Sequence, residues 1–436
     1  MKKIFLVAAA CFTLQVASAQ DMDKLVPKEY VNNLIKTLAS DDMQGRRPYT
    51  PGIEKAADFI SNEFKTIGLE PLTGLKSYRQ TFNLKQVKPQ SSSVTLNGKA
   101  VAAENLLALS LNAAQVNFDD KSGSPVIVMD PEKPFLNQYR TFSRGGKKQL
   151  VLVPTKFAED FKRLKSAPYR SGSFFEKDMA NPTGTFLVLS DEKTAANYTV
   201  KSNNEISNMG DLFNVAGMIK GKSRPNEIVI FSAHYDHMGI GKAVEQDSIF
   251  NGADDDASGT TAVIALAKYY KQLNNNERTL IFVGFTAEES GGYGSKYFSQ
   301  QLNPDNITAM FNIEMIGKDS KFGPNTAYIT GYERSDFGKI LQKNLVGTEF
   351  NFHPDPYPEQ NLFYRSDNAT LAALGVPAHT ISTVQIDKDK LYHTVKDEYE
   401  SLDIENIYSS IKGIAKSAIS IIKGQDTPSR VPKLVN

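Results

Sequence analysis

Imidazoles and carboxylates recur in five short stretches of the chain. SAHYDHMG carries His234, Asp236 and His237, and NGADDDASGT carries Asp254, Asp255 and Asp256 in a row. TAEESGG carries Glu288 and Glu289, NIEMIG carries Glu314, and KLYHTVKDEYESLD carries Tyr392, His393 and Asp397. Three adjacent aspartates ahead of an apolar run (Ala262, Val263, Ile264, Leu266) repel one another strongly wherever the dielectric is low. Divalent cations are the simplest remedy. Two fit better than one, because the acidic groups outnumber what a single tetrahedral ion can use. One aspartate of the triplet would then bridge two ions, while its neighbours cap the following helix at its positive end. Taken singly, each stretch also has an ordinary reading: an Asp run as a helix cap, a Glu pair as a solvated helix face. His353 and His379 read as packing or surface histidines.

The elements that must position these residues follow from periodicity. From residue 209 the rhythm is strand, loop, helix. Continuous apolar runs over 228–231, 280–285, 310–313 and 378–382 predict buried strands, and 260–273 and 404–422 predict helices. Alternation of this kind predicts an α/β fold with a mostly parallel mixed sheet covered by helices on both faces. The five stretches each lie just past a strand or at a helix start, and open α/β sheets bind ligands beyond the carboxyl ends of their strands. That common placement is what raises them above their separate ordinary readings. Helices are also predicted over 30–39 and 53–67, the second closed by Gly68 with Pro71 beyond it. Residues 91–208 contain short strand-like runs (SPVIVMD, KQLVLVP, GTFLVLS), one helix-like run (KFAEDFKRLK) and no catalytic pattern. They are read as an inserted accessory, lid-like domain. The predicted organisation is therefore 1–19 signal peptide, 20–90 N-terminal helical part, 91–208 insert, 209–424 catalytic domain and 425–436 tail.

The 436 residues carry a net charge of only +1, which gives no nucleic-acid footprint. At the start, Lys2 and Lys3 precede an apolar run over 4–16, and Ala17-Ser18-Ala19 fits a cleavage site. A signal peptide cut after Ala19 is expected, hence an exported protein, bacterial, periplasmic or secreted. The apolar run is shorter than the roughly 20 residues that a span requires, and no later run is longer, so no membrane span is expected in the mature chain. The only cysteine, Cys11, lies in that leader. Disulfides, a thiol nucleophile and zinc–thiolate sites are thereby excluded from the mature chain. Any metal must be held by His, Asp and Glu.

In these blocks (AHYDHMG, NGADDDASG, FTAEESGGYGS, NIEMIG and YHTVKDEYESLD, in that order) the sequence resembles the co-catalytic dizinc exopeptidases, a family that includes secreted bacterial aminopeptidases, glutamate carboxypeptidase and glutaminyl cyclases. The resemblance covers 209–424, with a second part in LASDDMQGRRPYTPGIEKAADFI. It implies a zinc-dependent aminopeptidase that removes N-terminal residues from peptides with two Zn2+ ions. His234 would bind one zinc, Asp255 would bridge, and Glu289 and His393 would bind the second. Glu314 stands where the family more often has Asp; it remains an oxygen ligand with one extra methylene. Glu288 would be the general base for a water held between the ions, Asp236 would orient His234, and Tyr392 would donate to the developing oxyanion. FYRSDN, with Ser366 and Asp367, resembles a loop bordering the pocket for the substrate's amino group; a turn whose Asp caps the next helix is the other reading.

Other mechanisms lack their motifs. There is no H-E-x-x-H and no G-x-S-x-G. GMIKGKS has three residues between its glycines where a phosphate loop needs four. A carboxypeptidase or a glutaminyl cyclase on the same fold remains an alternative, as does a binding relative without catalysis. The last should lack a ligand or the base, and every position is filled here. First-residue preference and oligomeric state are not legible.

Overall fold

The computed structural model describes residues 22–143, 146–166 and 172–434. The expected signal peptide, 1–19, lies outside them. The chain divides into two compact units, one formed by Met1–Gln80 with Phe213–Asn436 and the other by Thr81–Leu212.

In the first unit, helices and strands alternate as the apolar runs require. The Arg224–His234, Arg278–Phe285, Ile307–Ile313 and Ala378–Ser382 strands are parallel neighbours. Across the sheet they lie in the order Ala378–Ser382, Ile307–Ile313, Arg224–His234, Arg278–Phe285. Antiparallel partners flank them: Val215–Ile219 pairs with Leu280–Gly284 on one side, and Thr326–Ile329 pairs with the Ala378–Ser382 strand on the other. The sheet is therefore mixed and mostly parallel. The Arg278–Phe285 strand is buried at every position, as expected for a strand covered on both faces. Phe231, at the middle of the Arg224–His234 strand, stacks on Phe282 and Phe311 at 5.4 and 4.8 Å, so the three central strands are locked through one aromatic layer.

Helices close both faces. Lys28–Leu38, Pro51–Ile67, Gly259–Leu273 and Ile404–Ser417 bury their apolar sides in one cluster around Phe231 and Phe282. Phe298, on the Tyr293–Gln300 helix, and Leu371 and Ala372, on the Asn368–Ala373 helix, build a second cluster with Ile230, Ile281 and Met310. Pro51 stands at the start of its helix and Gly68 closes it at φ 83°, the end that the sequence signals. The closing helix differs from expectation: it is two helices, Ile404–Ser417 and Ile419–Ile422, parted at Ala418.

Topology fixes where a site can form. The chain leaves the Arg224–His234 strand, adds Arg278–Phe285 on one side, then adds Ile307–Ile313 on the other. Strand order thus reverses at the Arg224–His234 strand, and a crevice opens beyond its carboxyl end.

The second unit has its own core. Leu106–Leu109, Gly184–Leu189, Lys148–Val153 and Val126–Val128 form a four-stranded sheet in that order, antiparallel for the first pair and parallel thereafter. Leu150, Leu152, Phe186 and Val188 are buried on one face, and Val151, Val153, Phe161 and Leu187 on the other. Two long strands, Arg79–Leu96 and Tyr198–Ile219, carry the chain in and out of this unit.

Candidate metal centre

Four loops beyond the parallel strands bring the titratable residues together. His234 is the last residue of its strand. Glu288 and Glu289 follow the Arg278–Phe285 strand, Glu314 directly follows Ile313, and His393 lies in the loop beyond Ser382. The turn Ala253–Ser258 delivers the aspartate triplet at the head of the Gly259–Leu273 helix. Three non-glycine residues at these positions take left-handed backbone: Ala287 (φ 58°), Met315 (φ 51°) and His393 (φ 57°). Such conformations are uncommon outside glycine and persist where the surroundings enforce them.

The three aspartates are turned to different partners. Asp256 accepts the backbone N–H groups of His234, Gly259 and Met315. Asp254 accepts the N–H of Gly317 at 2.7 Å and faces the Lys318 ammonium at 3.4 Å. Asp255 faces the histidines: its Oδ1 is 3.2 Å from His234 Nε2, and its Oδ2 is 3.2 Å from His393 Nε2. One carboxylate thus stands between two imidazoles. On the second side, Glu289 Oε2 lies 3.0 Å from His393 Nε2, and Glu289 Oε1 lies 2.8 Å from His237 Nδ1. Among the described residues, ligand atoms of His237, Asp255 and Glu289 lie within 4.8 Å of one another.

The donor set fits metal. Asp255 Oδ2, Glu314 Oε2, both ring nitrogens of His237 and both carboxylate oxygens of Asp367 are buried without a hydrogen-bond partner. Buried polar atoms are nearly always paired, and carboxylate oxygens with imidazole nitrogens are what zinc binds. The electrostatics agree. Burial pushes the Glu314 carboxyl up to about 7, with Asp255 and Asp367 adding to the rise and His234 and Ser366 opposing it. Glu288 is also pushed well above the ordinary range by burial and by Asp367, Glu314 and Asp236, with His234 opposing. Asp255 goes the other way: burial would raise it, but His234, His393 and His237 hold it well below the ordinary range.

The surrounding residues hold this arrangement in place. Asp236 is fully buried, and its Oδ1 accepts the Glu288 N–H at 3.0 Å; the same oxygen is 3.9 Å from His234 Nδ1, which meets the Asp236 carbonyl at 3.1 Å. The ring nitrogen of His234 is thus held by the Asp236 backbone, and the carboxylate contacts the chain at Glu288. Asp397 accepts the N–H groups of Asp254 and Asp255 at 3.1 Å. Ser366 accepts from Asn312 Nδ2 at 2.7 Å and contacts Glu314, while Asp367 is buried at the start of the Asn368–Ala373 helix. Tyr392 is half exposed and stacks on the His393 ring at 3.8 Å. Burial, with Asp255 and Glu289 nearby, raises its phenol, which keeps its proton at neutral pH. Glu314, Ser366 and Tyr392 line a cleft of about 370 Å³ whose other walls include Met315, Tyr328 and Tyr357.

Three residues of this environment were not singled out from sequence. Arg46 is fully buried and donates to the carbonyls of Leu38, Tyr235, Asn251 and Gly252. It ties the end of the His234 strand to the turn that leads into Asp255. Lys318 sits among Asp254, Asp389 and Asp397. Asn312 bonds Ser232, Ser366 and Thr380. A charged residue in a loop and an amide in a strand carry no periodic signal; only their proximity to NGADDDASG and NIEMIG in space reveals them. His353 and His379 lie elsewhere. His379 is buried between Thr330 and Ser335 and stacks on Phe337, and His353 stacks on Phe322.

Residues 214–418 match the family model of Peptidase family M28. A probable zinc metalloprotease of Pyrenophora teres f. teres is 31% identical over 109 residues, 24% of this chain and 22% of the relative. Leucine aminopeptidase 1 of Paracoccidioides brasiliensis (strain Pb03) is 27% identical over 214 residues, 46% of this chain and 53% of the relative. The chain thus spans between about a fifth and a half of these curated relatives' length. An aminopeptidase from Aneurinibacillus sp. strain AM-1 superposes with a TM-score of 0.53 at 18% identity, covering 95% of this chain and 97% of that one, a likeness of fold. With the ordered blocks and the mixed sheet, the match over 214–418, a little under half of the chain, makes this part of the chain similar to the M28 peptidases, in agreement with the resemblance to the co-catalytic zinc exopeptidases read from the sequence.

Proposed function

We propose that this chain is an exported aminopeptidase that removes N-terminal residues from peptides with two zinc ions and Glu288 as general base. The observation that carries the reading is the Asp255 carboxylate, with His234 at one oxygen and His393 at the other. His234, Asp255 and Glu314 would hold one zinc; Asp255, Glu289 and His393 would hold the second. When bound, the ions would supply Lewis acidity and lower the pKa of a water to about 7.

The chain's own residues then divide the work. Glu288, made more basic by burial and by Asp367 and Glu314, takes a proton and returns it to the leaving amine. Asp236 holds the Glu288 backbone and contacts His234, so the base and the first ligand keep a fixed relation. Tyr392 keeps its phenolic proton and donates it in a hydrogen bond to the oxyanion. Asp367, a buried carboxylate with both oxygens unpartnered, anchors the substrate's ammonium group, and Ser366 steadies Glu314 beside it. An amino group bound there restricts cleavage to the first residue. The cleft walled by Met315, Tyr328 and Tyr357 receives an apolar first side chain. Export rests on the leader-like segment 1–19.

The test is a panel of aminoacyl-anilides with leucyl, phenylalanyl, lysyl and glutamyl groups, each with its amino group free or acetylated, run with and without chelator. The reading predicts hydrolysis of free-amino substrates only, apolar residues fastest, abolished by chelator. Cleavage of acetylated substrates at similar rates contradicts an aminopeptidase.

A further inference from the structure

His237 has no role in the reading above, yet it is buried, and both of its ring nitrogens lack a hydrogen-bond partner. Its place is built into the backbone. Gly252, at φ 54°, leaves room for the ring: a Cβ there would come within 2.5 Å of His237 Cγ and Cδ2. His237 Nδ1 lies 2.8 Å from Glu289 Oε1 without the alignment of a hydrogen bond, and 3.8 Å from Asp255 Oδ2. His393 Nε2 approaches the same two carboxylates, at 3.0 and 3.2 Å. The two imidazoles stand with centroids 5.6 Å apart and planes at 67°.

Four donors around one zinc, with bonds of about 2.0–2.2 Å and tetrahedral angles, are separated by about 3.4 Å. The donor separations here, 2.8 to 3.8 Å, bracket that value. We infer that His237 is a direct ligand of the second metal, through Nδ1, so that this ion is held by Asp255, Glu289, His237 and His393. The inference rests on the two-metal reading above. It makes the two sites unequal. The second has four protein ligands, and the first has three, His234, Asp255 and Glu314.

Two measurements on the full chain test this. In a zinc-loaded crystal, anomalous scattering locates the ions; the expected distance from His237 Nδ1 to the second ion is about 2.1 Å. A distance beyond about 3 Å, with His237 bonded only to Glu289, overturns the assignment. In a zinc titration of the metal-free chain, two ions bind with unequal constants. His237→Ala, checked for an intact fold by circular dichroism, weakens the tighter site by about 100-fold or more, beyond what loss of an outer hydrogen bond to a ligand typically produces, and leaves the weaker site unchanged. Unchanged constants in the variant overturn the assignment. Two ions bound in the wild type, with His237 outside bonding distance, leave the two-metal reading standing and remove His237 alone; fewer than two ions in the wild type remove the reading beneath it.

Discussion

At the scale of single residues, the site depends on where each carboxylate points. Asp254, Asp255 and Asp256 are chemically identical, but backbone N–H groups and Lys318 take up the outer two and only the middle one faces histidines. The sequence argument that one of three would bridge came from charge alone; the choice of Asp255 came from the family resemblance, and the geometry puts that carboxylate between His234 and His393. Two substitutions separate chemistry from scaffold. Glu288→Gln is expected to lower kcat by about 10²–10⁴-fold, the usual range for a general base, with zinc content by elemental analysis unchanged. Arg46→Met leaves four backbone carbonyls without their donor and is expected to cost at least about 4 kcal/mol of stability in urea unfolding, since each buried acceptor left unsatisfied costs about 1–3 kcal/mol. Arg46 was illegible beforehand because a loop arginine is usually solvated, and nothing in SDDMQGRRPYTPG says that this one is buried.

At the scale of elements, the buried parallel strands were legible from continuous apolar runs; Ala378–Ser382 has the expected bounds, while the other three start two to four residues earlier, where polar residues such as Arg224 and Arg278 already pair in the ladder. The long strands Arg79–Leu96 and Tyr198–Ile219 were not legible, because exposed stretches within them give no clean alternation. The break at Ala418 was hidden because both short helices keep the same apolar period. His379 gives this scale its prediction. Burial lowers its imidazole to about 4, from an ordinary value near 6.5. The unfolded chain therefore binds the proton more readily, and stability rises with pH through that window. The contribution is complete above pH 6.5 and is lost as pH falls toward 4. A shift of that size corresponds to about 3 kcal/mol. Going from pH 7 to pH 4.5, the zinc-loaded wild type should lose up to about that much more unfolding free energy than His379→Gln does, since the difference between the two proteins isolates this histidine from the other titrating groups.

At the scale of the whole molecule, the second core of Leu150, Phe186 and Val151 in the Thr81–Leu212 unit answers to runs that the sequence marks as strands, while its chemistry stays silent. The first unit carries the acidic cluster, and its stability should respond to metal. In the metal-free chain, burial raises Asp236, Asp254 and Glu314 to about 7, above their unfolded values. A carboxylate raised on folding favours the folded state at low pH and loses that contribution as pH rises through about 4 to 7. Chelated protein should therefore melt at lower temperature at pH 8 than at pH 5, and excess zinc should raise the pH 8 melting temperature far more than the pH 5 one. The most direct single test of the central claim is to measure zinc content and leucyl-anilide hydrolysis side by side in wild type and Glu288→Gln. The account predicts two ions in both proteins and activity in the wild type alone. Full activity in the variant, or a wild type that hydrolyses the substrate with no bound metal, would contradict it.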